Sequence, residues 1–241
     1  MRQKLVDSLD EYYRAQAEWT YQTRNYIYRR TGILVSKEPL LEIGCATGTI
    51  TAELARRSDS FVIGIDKNKL LFNKKAKENS PSPVFVCADA CYTPFKPSSF
   101  SAVIFHFSLM WLDKPLVVLK ECLRILKPGG YALALSEPDY SGAIEVPSFP
   151  SLKEAMIHLI LESGGDPFIA QKMSQLFSSV GFEVIETGPL SRPLSSDIVC
   201  KKMAPLLKLL SDISPNEGER LADFRPSYAF YPVFYLIARK R

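Results

Sequence analysis

The chain has 241 residues, 46% of them apolar and 23% charged, which is the composition of an ordinary globular domain and excludes a disordered segment. Thirty Lys and Arg against 26 Asp and Glu leave a formal charge of +4. The positives are scattered outside Arg29-Arg30, Lys74-Lys75, Lys201-Lys202 and Arg239-Lys240-Arg241, so no concentrated basic face for nucleic acid is expected.

Residues 1–32 carry few Gly or Pro and many aromatics, among them Tyr12, Tyr13, Trp19, Tyr21, Tyr26 and Tyr28. They are predicted to be helical, closed by Gly32 just past the last turn. Short apolar runs then alternate with mixed segments. Strands are expected at Pro39–Ile43, Phe61–Ile65, Val84–Cys87, Ala102–Phe107 and Tyr131–Leu135. Helices are expected at Ile50–Arg57, Lys67–Glu78 and Lys114–Leu126, with a turn at Pro128-Gly129-Gly130. The strands are apolar throughout rather than alternating, as in a parallel sheet covered on both faces. Residues 36–137 therefore read as a doubly wound α/β sheet, which binds ligands at the carboxyl ends of its strands. Past Pro138, helices are expected at Ser148–Glu162, Pro167–Val180 and Lys201–Ile213, a strand at Phe182–Glu186 and a closing strand at Ala229–Arg239.

Cysteines stand at 45, 87, 91, 122 and 200, a spacing that fits no zinc site. Cys87 and Cys122 lie in apolar runs and read as small core residues. Reduced thiols imply a cytoplasmic protein. Met1–Asp10 shows no apolar leader, and no run reaches the roughly 18 apolar residues of a membrane span.

The most informative segment is Leu41-Glu42-Ile43-Gly44-Cys45-Ala46-Thr47-Gly48-Thr49, which follows a strand and opens a helix. Glycines at 44 and 48 let the backbone approach a ligand closely. The G-x-G-x-x-G pattern of dinucleotide enzymes is not met, because Ala46 and Thr49 replace two of its glycines, and Glu42 would repel a pyrophosphate. A cationic ligand reverses that objection. Val62-Ile63-Gly64-Ile65-Asp66 ends a second strand on a carboxylate that suits two ribose hydroxyls or a helix cap. Cys87-Ala88-Asp89-Ala90 ends a third strand in the same way.

These motifs resemble the class I, Rossmann-like, S-adenosylmethionine-dependent methyltransferase family, strongly over residues 36–137. The resemblance implies a seven-stranded, mostly parallel sheet with a helical insertion after strand 5. It implies that Glu42, Gly44, Cys45, Ala46, Thr47 and Gly48 hold the methionine part of the cofactor. Alanine stands at 46 where the family usually has glycine. It further implies Asp66 and Lys67 at the ribose, and Asp89 and Ala90 at the adenine. Pro94-Phe95 and Ser99–Ile104 resemble the segment leading into the fourth strand, with Ser101 in place of the usual Asp. Leu123–Gly130 resembles the family's R-x-L-K-P-G-G turn, which supports the fold rather than the site. His106 and Phe107 are expected at the mouth of the pocket.

Residues 1–32 are expected to form a lid, with Trp19 and Arg24 toward the cofactor and Arg24 at its carboxylate. The rest, 33–241, is expected to form the methyltransferase domain, with 140–180 and 195–228 as additions near the acceptor. His106 and Asp139 are the candidate catalytic residues, the first because imidazole titrates near neutral pH. The Asn-Pro-Pro-Tyr type segment of nucleobase and glutamine methyltransferases is replaced by His106-Phe107-Ser108-Leu109. A small-molecule acceptor is expected, with S-adenosylhomocysteine as product and no metal. Methylation of RNA or protein, and a non-catalytic cofactor-binding role on the same fold, are the alternatives.

Overall fold

The computed structural model describes residues 2–72, 83–189 and 194–241. Two helices open the chain, α1 (Arg2–Trp19) and α2 (Tyr21–Thr31). The single helix expected over residues 1–32 is thus broken at Thr20, whose φ of −97° and ψ of 5° leave the helical basin. Gly32 closes α2 as expected, in the left-handed region, with its N–H on Tyr28 O.

There follow β1 (Leu40–Ile43), α3 (Thr49–Arg57), β2 (Val62–Asp66), β3 (Val84–Cys87), β4 (Phe100–Phe105), α4 (Pro115–Ile125) and β5 (Leu126–Pro138). Next come β6 (Ile144–Val146), α5 (Leu152–Glu162), α6 (Ile169–Ser179), β7 (Phe182–Pro189), β8 (Leu194–Ser195), α7 (Ser196–Ile213), α8 (Pro215–Arg220), β9 (Tyr228–Phe230) and β10 (Val233–Lys240). The large sheet has seven strands in the order β3-β2-β1-β4-β5-β10-β7. β10 runs antiparallel to both of its neighbours, while the pairs from β3 through β5 are parallel. The seven-stranded, mostly parallel, doubly wound sheet expected from the sequence is the one observed.

Continuous apolar strands bury both faces because their side chains alternate between two cores. Leu41, Ile43, Val103 and Phe105 face one core, with Leu119 and Cys122 of α4 and Phe177 of α6. Leu40, Ala102, Ile104 and Leu133 face the other, with Ile27 of α2 and Leu54 of α3. The chain order reverses between β1 and β4, so a crevice opens beyond Ile43 and Phe105, as it does at such switch points.

Four local expectations are corrected. Of the helix expected at Lys67–Glu78, the described residues 67–72 hold a 3-10 turn at Lys69–Leu71 followed by extended Phe72; the rest lies outside the described residues. Asn68 starts that turn by accepting from Leu70 N, and Asp66 accepts from Asn68 N; such side-chain bonds compete with helix formation. Pro128-Gly129-Gly130 is an irregular stretch inside β5, where the register against β4 shifts. The closing strand Ala229–Arg239 is two strands in two sheets, parted at Tyr231-Pro232. β9 joins a three-stranded sheet of order β6-β9-β8 that the sequence did not announce. Cys87 is exposed on the edge strand rather than in the core, whereas Cys122 is buried as expected.

Candidate functional site

The turn after β1 is built by three left-handed residues two apart, Gly44 (φ 71°), Ala46 (φ 46°) and Gly48 (φ 86°). Gly44 and Cys45 both donate their N–H to Ile65 O at 2.9 Å, which ties the turn to the end of β2. A Cβ at Gly44 would stand 2.9 Å from Ser108 Cβ. Gly48 then caps α3.

These ends frame a cavity of about 440 Å³. Glu42, Asp66 and Asp89, one from each of the first three strand ends, line it together with Asp113 and a single lysine, Lys67. An excess of carboxylates favours a cationic ligand and opposes a pyrophosphate. Glu42 is buried and accepts from Thr51 Oγ1. Burial pushes its carboxyl up to about 8, against the pull of the Thr51 hydrogen bonds. Asp66 accepts from Ala46 N at 3.0 Å and from Asn68 N at 2.8 Å. Asp89 accepts from Cys91 N at 2.8 Å. Gly44, Cys45, Ala46, Lys67, Ala90, His106 and Phe107 also line the cavity.

A second cavity, of about 770 Å³, lies under α1 and α2 and against α5 and α7. Gln16 and Phe107 line both cavities and so form their common wall. Phe107 adopts φ 51° there. Its segment is fixed from below by Glu137, which accepts from the N–H groups of Ser108, Leu109 and Met110 at 3.0, 3.1 and 3.4 Å. Burial raises the Glu137 carboxyl to about 7.

Five predicted residues stand elsewhere. Arg24 is 1% exposed and spends its guanidinium on Glu53 of α3, with Nη2 to Oε2 at 2.5 Å, and on Ala17 O. It lines neither cavity wall, because a buried cation needs its carboxylate partner more than an open pocket. Trp19 lines the second cavity only. Thr47 is 1% exposed with its hydroxyl toward Thr49, and Gly48 serves as the α3 cap; neither is on the wall. Asp139 is taken up by a turn, accepting from Ser141 N, Ser141 Oγ and Gln171 Nε2 at 2.7 to 3.1 Å. Both of its oxygens are thereby engaged, and it lines neither cavity.

His106 is better placed. Thr20 Oγ1 donates to Gln16 O, accepts from Arg24 Nη1 and lies 2.9 Å from His106 Nε2. Burial and then the Arg24 cation hold the ring well below its usual pKa, so it is neutral at pH 7.

Sequence reasoning missed Tyr13 and Gln16 of α1, which line the first cavity. Their i, i+3 spacing puts them on one helix face. It also missed Ser108, whose buried Oγ has no hydrogen-bond partner and which lines the same cavity beside Gly44. An orphaned hydroxyl, a glycine cradle and a ring of carboxylates suit a ligand that carries an ammonium, sugar hydroxyls and an exocyclic amine. S-adenosylmethionine has all three.

Comparison with known proteins agrees. A family described as a methyltransferase domain matches residues 41–134. The demethylmenaquinone methyltransferase of Lactococcus lactis is 30% identical over 190 residues, covering 70% of this chain and 73% of its own. The chain belongs to the class I S-adenosylmethionine-dependent methyltransferase family. Other curated members of the family match over a shorter stretch. The chain spans 18% of the biotin biosynthesis bifunctional protein BioHC of Cellvibrio japonicus and 40–41% of two further demethylmenaquinone methyltransferases. A geranyl diphosphate methyltransferase solved with S-adenosylmethionine shares the fold at a TM-score of 0.60 and 16% identity, over 92% of this chain and 85% of that one. Among the described residues no helix is long and apolar enough to cross a membrane, and no cluster of metal-ligating side chains is present.

Proposed function

We propose that this protein moves a methyl group from S-adenosylmethionine to a small-molecule acceptor, with residues 1–32 acting as a lid over a methyltransferase domain. The observation that carries the reading is the convergence of Glu42, Asp66 and Asp89 on one cavity that shares a wall with a second, larger one. Asp66 would bind the ribose hydroxyls and Asp89 the adenine amino group. Glu42 and the Gly44–Ala46 turn would face the methionine end. The names of the relatives, which speak of methyl transfer to demethylmenaquinone, support a small acceptor.

The bound sulfonium supplies an already activated methyl group. The work left to this chain is alignment, exclusion of water and, for an acceptor that loses a proton, a place for that proton. Gln16 and Phe107 at the shared wall fix where the acceptor's reacting atom sits. When bound, S-adenosylmethionine would supply the methyl group from its sulfonium to the acceptor's lone pair. His106, whose ring lies edge-on to Phe107 with centroids 4.9 Å apart, is the imidazole beside that wall, and burial with the Arg24 cation makes it a weak base.

Calorimetric titration of the purified protein with S-adenosylmethionine and S-adenosylhomocysteine, with NAD as control, tests the reading. Micromolar binding of the first two and none of NAD is expected. Binding of NAD alone would overturn it.

A further inference from the structure

We propose that the second cavity is the acceptor site and that it takes an uncharged, predominantly apolar small molecule, inserted with its one polar end toward Gln16 and Phe107. The proposal rests on the methyltransferase reading above and names the acceptor class for it. The cavity, about 770 Å³ against about 440 Å³ for its neighbour, is large enough for a ligand with a ring system or a long chain.

The chemistry of its wall decides the class. Aromatic rings come from Tyr12, Trp19, Tyr26, Phe107, Tyr140 and Tyr231. Apolar side chains of α5 and α7, Leu152, Met156, Met203 and Leu206, add to the wall. Among the described residues no Asp, Glu, Lys or Arg lines it. A carboxylate, phosphate or amino acid entering this space would lose its hydration without gaining a counter-charge, at a cost of several kcal/mol. The tyrosines do not supply a charge. Burial raises the Tyr12 and Tyr140 hydroxyls well above their usual range, and Tyr231 is bonded to Glu145. Glu145 accepts from Tyr231 Oη, Ser151 Oγ and Lys153 N and does not line the cavity itself.

The amide side chains and threonine hydroxyls of the wall sit on one side only. Gln16, Thr20, Gln22 and Thr23 all belong to α1, α2 and the residue between them. The cavity is therefore amphipathic across its width, polar under the first two helices and apolar against α5 and α7. Gln16 is the polar member that also reaches the first cavity. An apolar body packed against Met156 and Leu206 with its polar atom at Gln16 is the pose that satisfies both sides.

The two tryptophans of the chain report on the two cavities separately, Trp111 on the first and Trp19 on the second. The test uses full-length single-tryptophan variants, Trp111→Phe and Trp19→Phe. The probes are three molecules with one chain length and different charge: n-decanol, n-decanoate and n-decyltrimethylammonium, all below their aggregation concentrations. In Trp111→Phe, decanol is expected to shift the Trp19 emission saturably, at a concentration at least tenfold below that needed by either charged probe. In Trp19→Phe, S-adenosylhomocysteine is expected to change the Trp111 emission. Equal or tighter response to decanoate or decyltrimethylammonium, or a Trp19 silent to all three while Trp111 responds, would overturn this proposal and leave the methyltransferase reading standing. A decanol response with no binding of S-adenosylhomocysteine in either variant or in the native chain would strike the methyltransferase reading instead.

Discussion

Ala46 occupies a backbone position that L-residues avoid, with φ 46° between two glycines that are also left-handed. That conformation costs an alanine about 1–2 kcal/mol, and a glycine very little. Ala46→Gly is expected to leave the melting temperature unchanged or raise it by a few degrees. Ala52→Gly, in the middle of α3, is expected to lower it by the equivalent of about 1 kcal/mol. Paired thermal melts check this, and equal losses from both would refute the strain. Asp66 has a different weight. Two charged hydrogen bonds to a ribose are each worth roughly 1.5–3 kcal/mol, so Asp66→Ala should weaken S-adenosylhomocysteine binding at least tenfold while the fold survives. Calorimetry reads the first and circular dichroism the second.

Glu42 gives a pH signature. Its carboxyl is raised from 4.5 to about 8 in the folded chain, so the folded state holds a proton that the unfolded state releases. The associated stability is fully present below about pH 4.5 and is lost as pH rises through about 8. Glu137 adds a loss of the same sign up to about 7. Glu42→Gln is therefore expected to flatten the fall in stability of the ligand-free protein between pH 5 and 8, measured by denaturant unfolding. An unaltered slope would mean that the carboxyl ionises as an exposed one does.

At the level of elements, the segment after β4 depends on one side chain. Glu137 at the end of β5 satisfies three consecutive backbone N–H groups, those of Ser108, Leu109 and Met110. Glu137→Ala leaves three buried donors without a partner, at about 1–3 kcal/mol each. A loss of about 3 kcal/mol or more in unfolding free energy is expected, with Glu137→Gln recovering part of it.

The sequence showed the strands and the β1 turn because these are local. Continuous apolar runs, a glycine pair and a carboxylate at each strand end sit within a few residues of one another. It did not show where Arg24 points, because that depends on Glu53, 29 positions away. Nor did it show that Asp139, just past β5, is held by Gln171 of α6. The split of the expected closing strand at Pro232 was visible as a residue without an N–H, but the small sheet it feeds is set by pairing with residues 144–146. Tyr13 and Gln16 were hidden for the same reason: their helix face has a meaning only once α1 lies over the first cavity.

For the whole molecule, α1 is the helix whose residues line both cavities. It is tied to α7 by Lys4 and Ser8 to Asp212 and by Glu11 to Lys208, largely at the surface, where such pairs contribute little. Its inner face reaches both cavities through Gln16. S-adenosylhomocysteine is therefore expected to slow amide hydrogen exchange in residues 8–20 as well as in the turn at 44–49. Protection confined to the turn would mean that the helix does not act as a lid.

The placement of β10 has a consequence for the order in which the protein is made. β7 meets the large sheet only through β10, which lies between it and β5. A ribosome delivers β7 more than forty residues before β10 is complete, so a nascent chain carries β7 with no seat and β5 with an open flank. The α1–α7 ties likewise wait about 200 residues for their second half. Contacts so distant in sequence slow folding. The half-made chain thus presents the β5 edge to its neighbours on the polysome, an edge that β10 covers in the finished molecule.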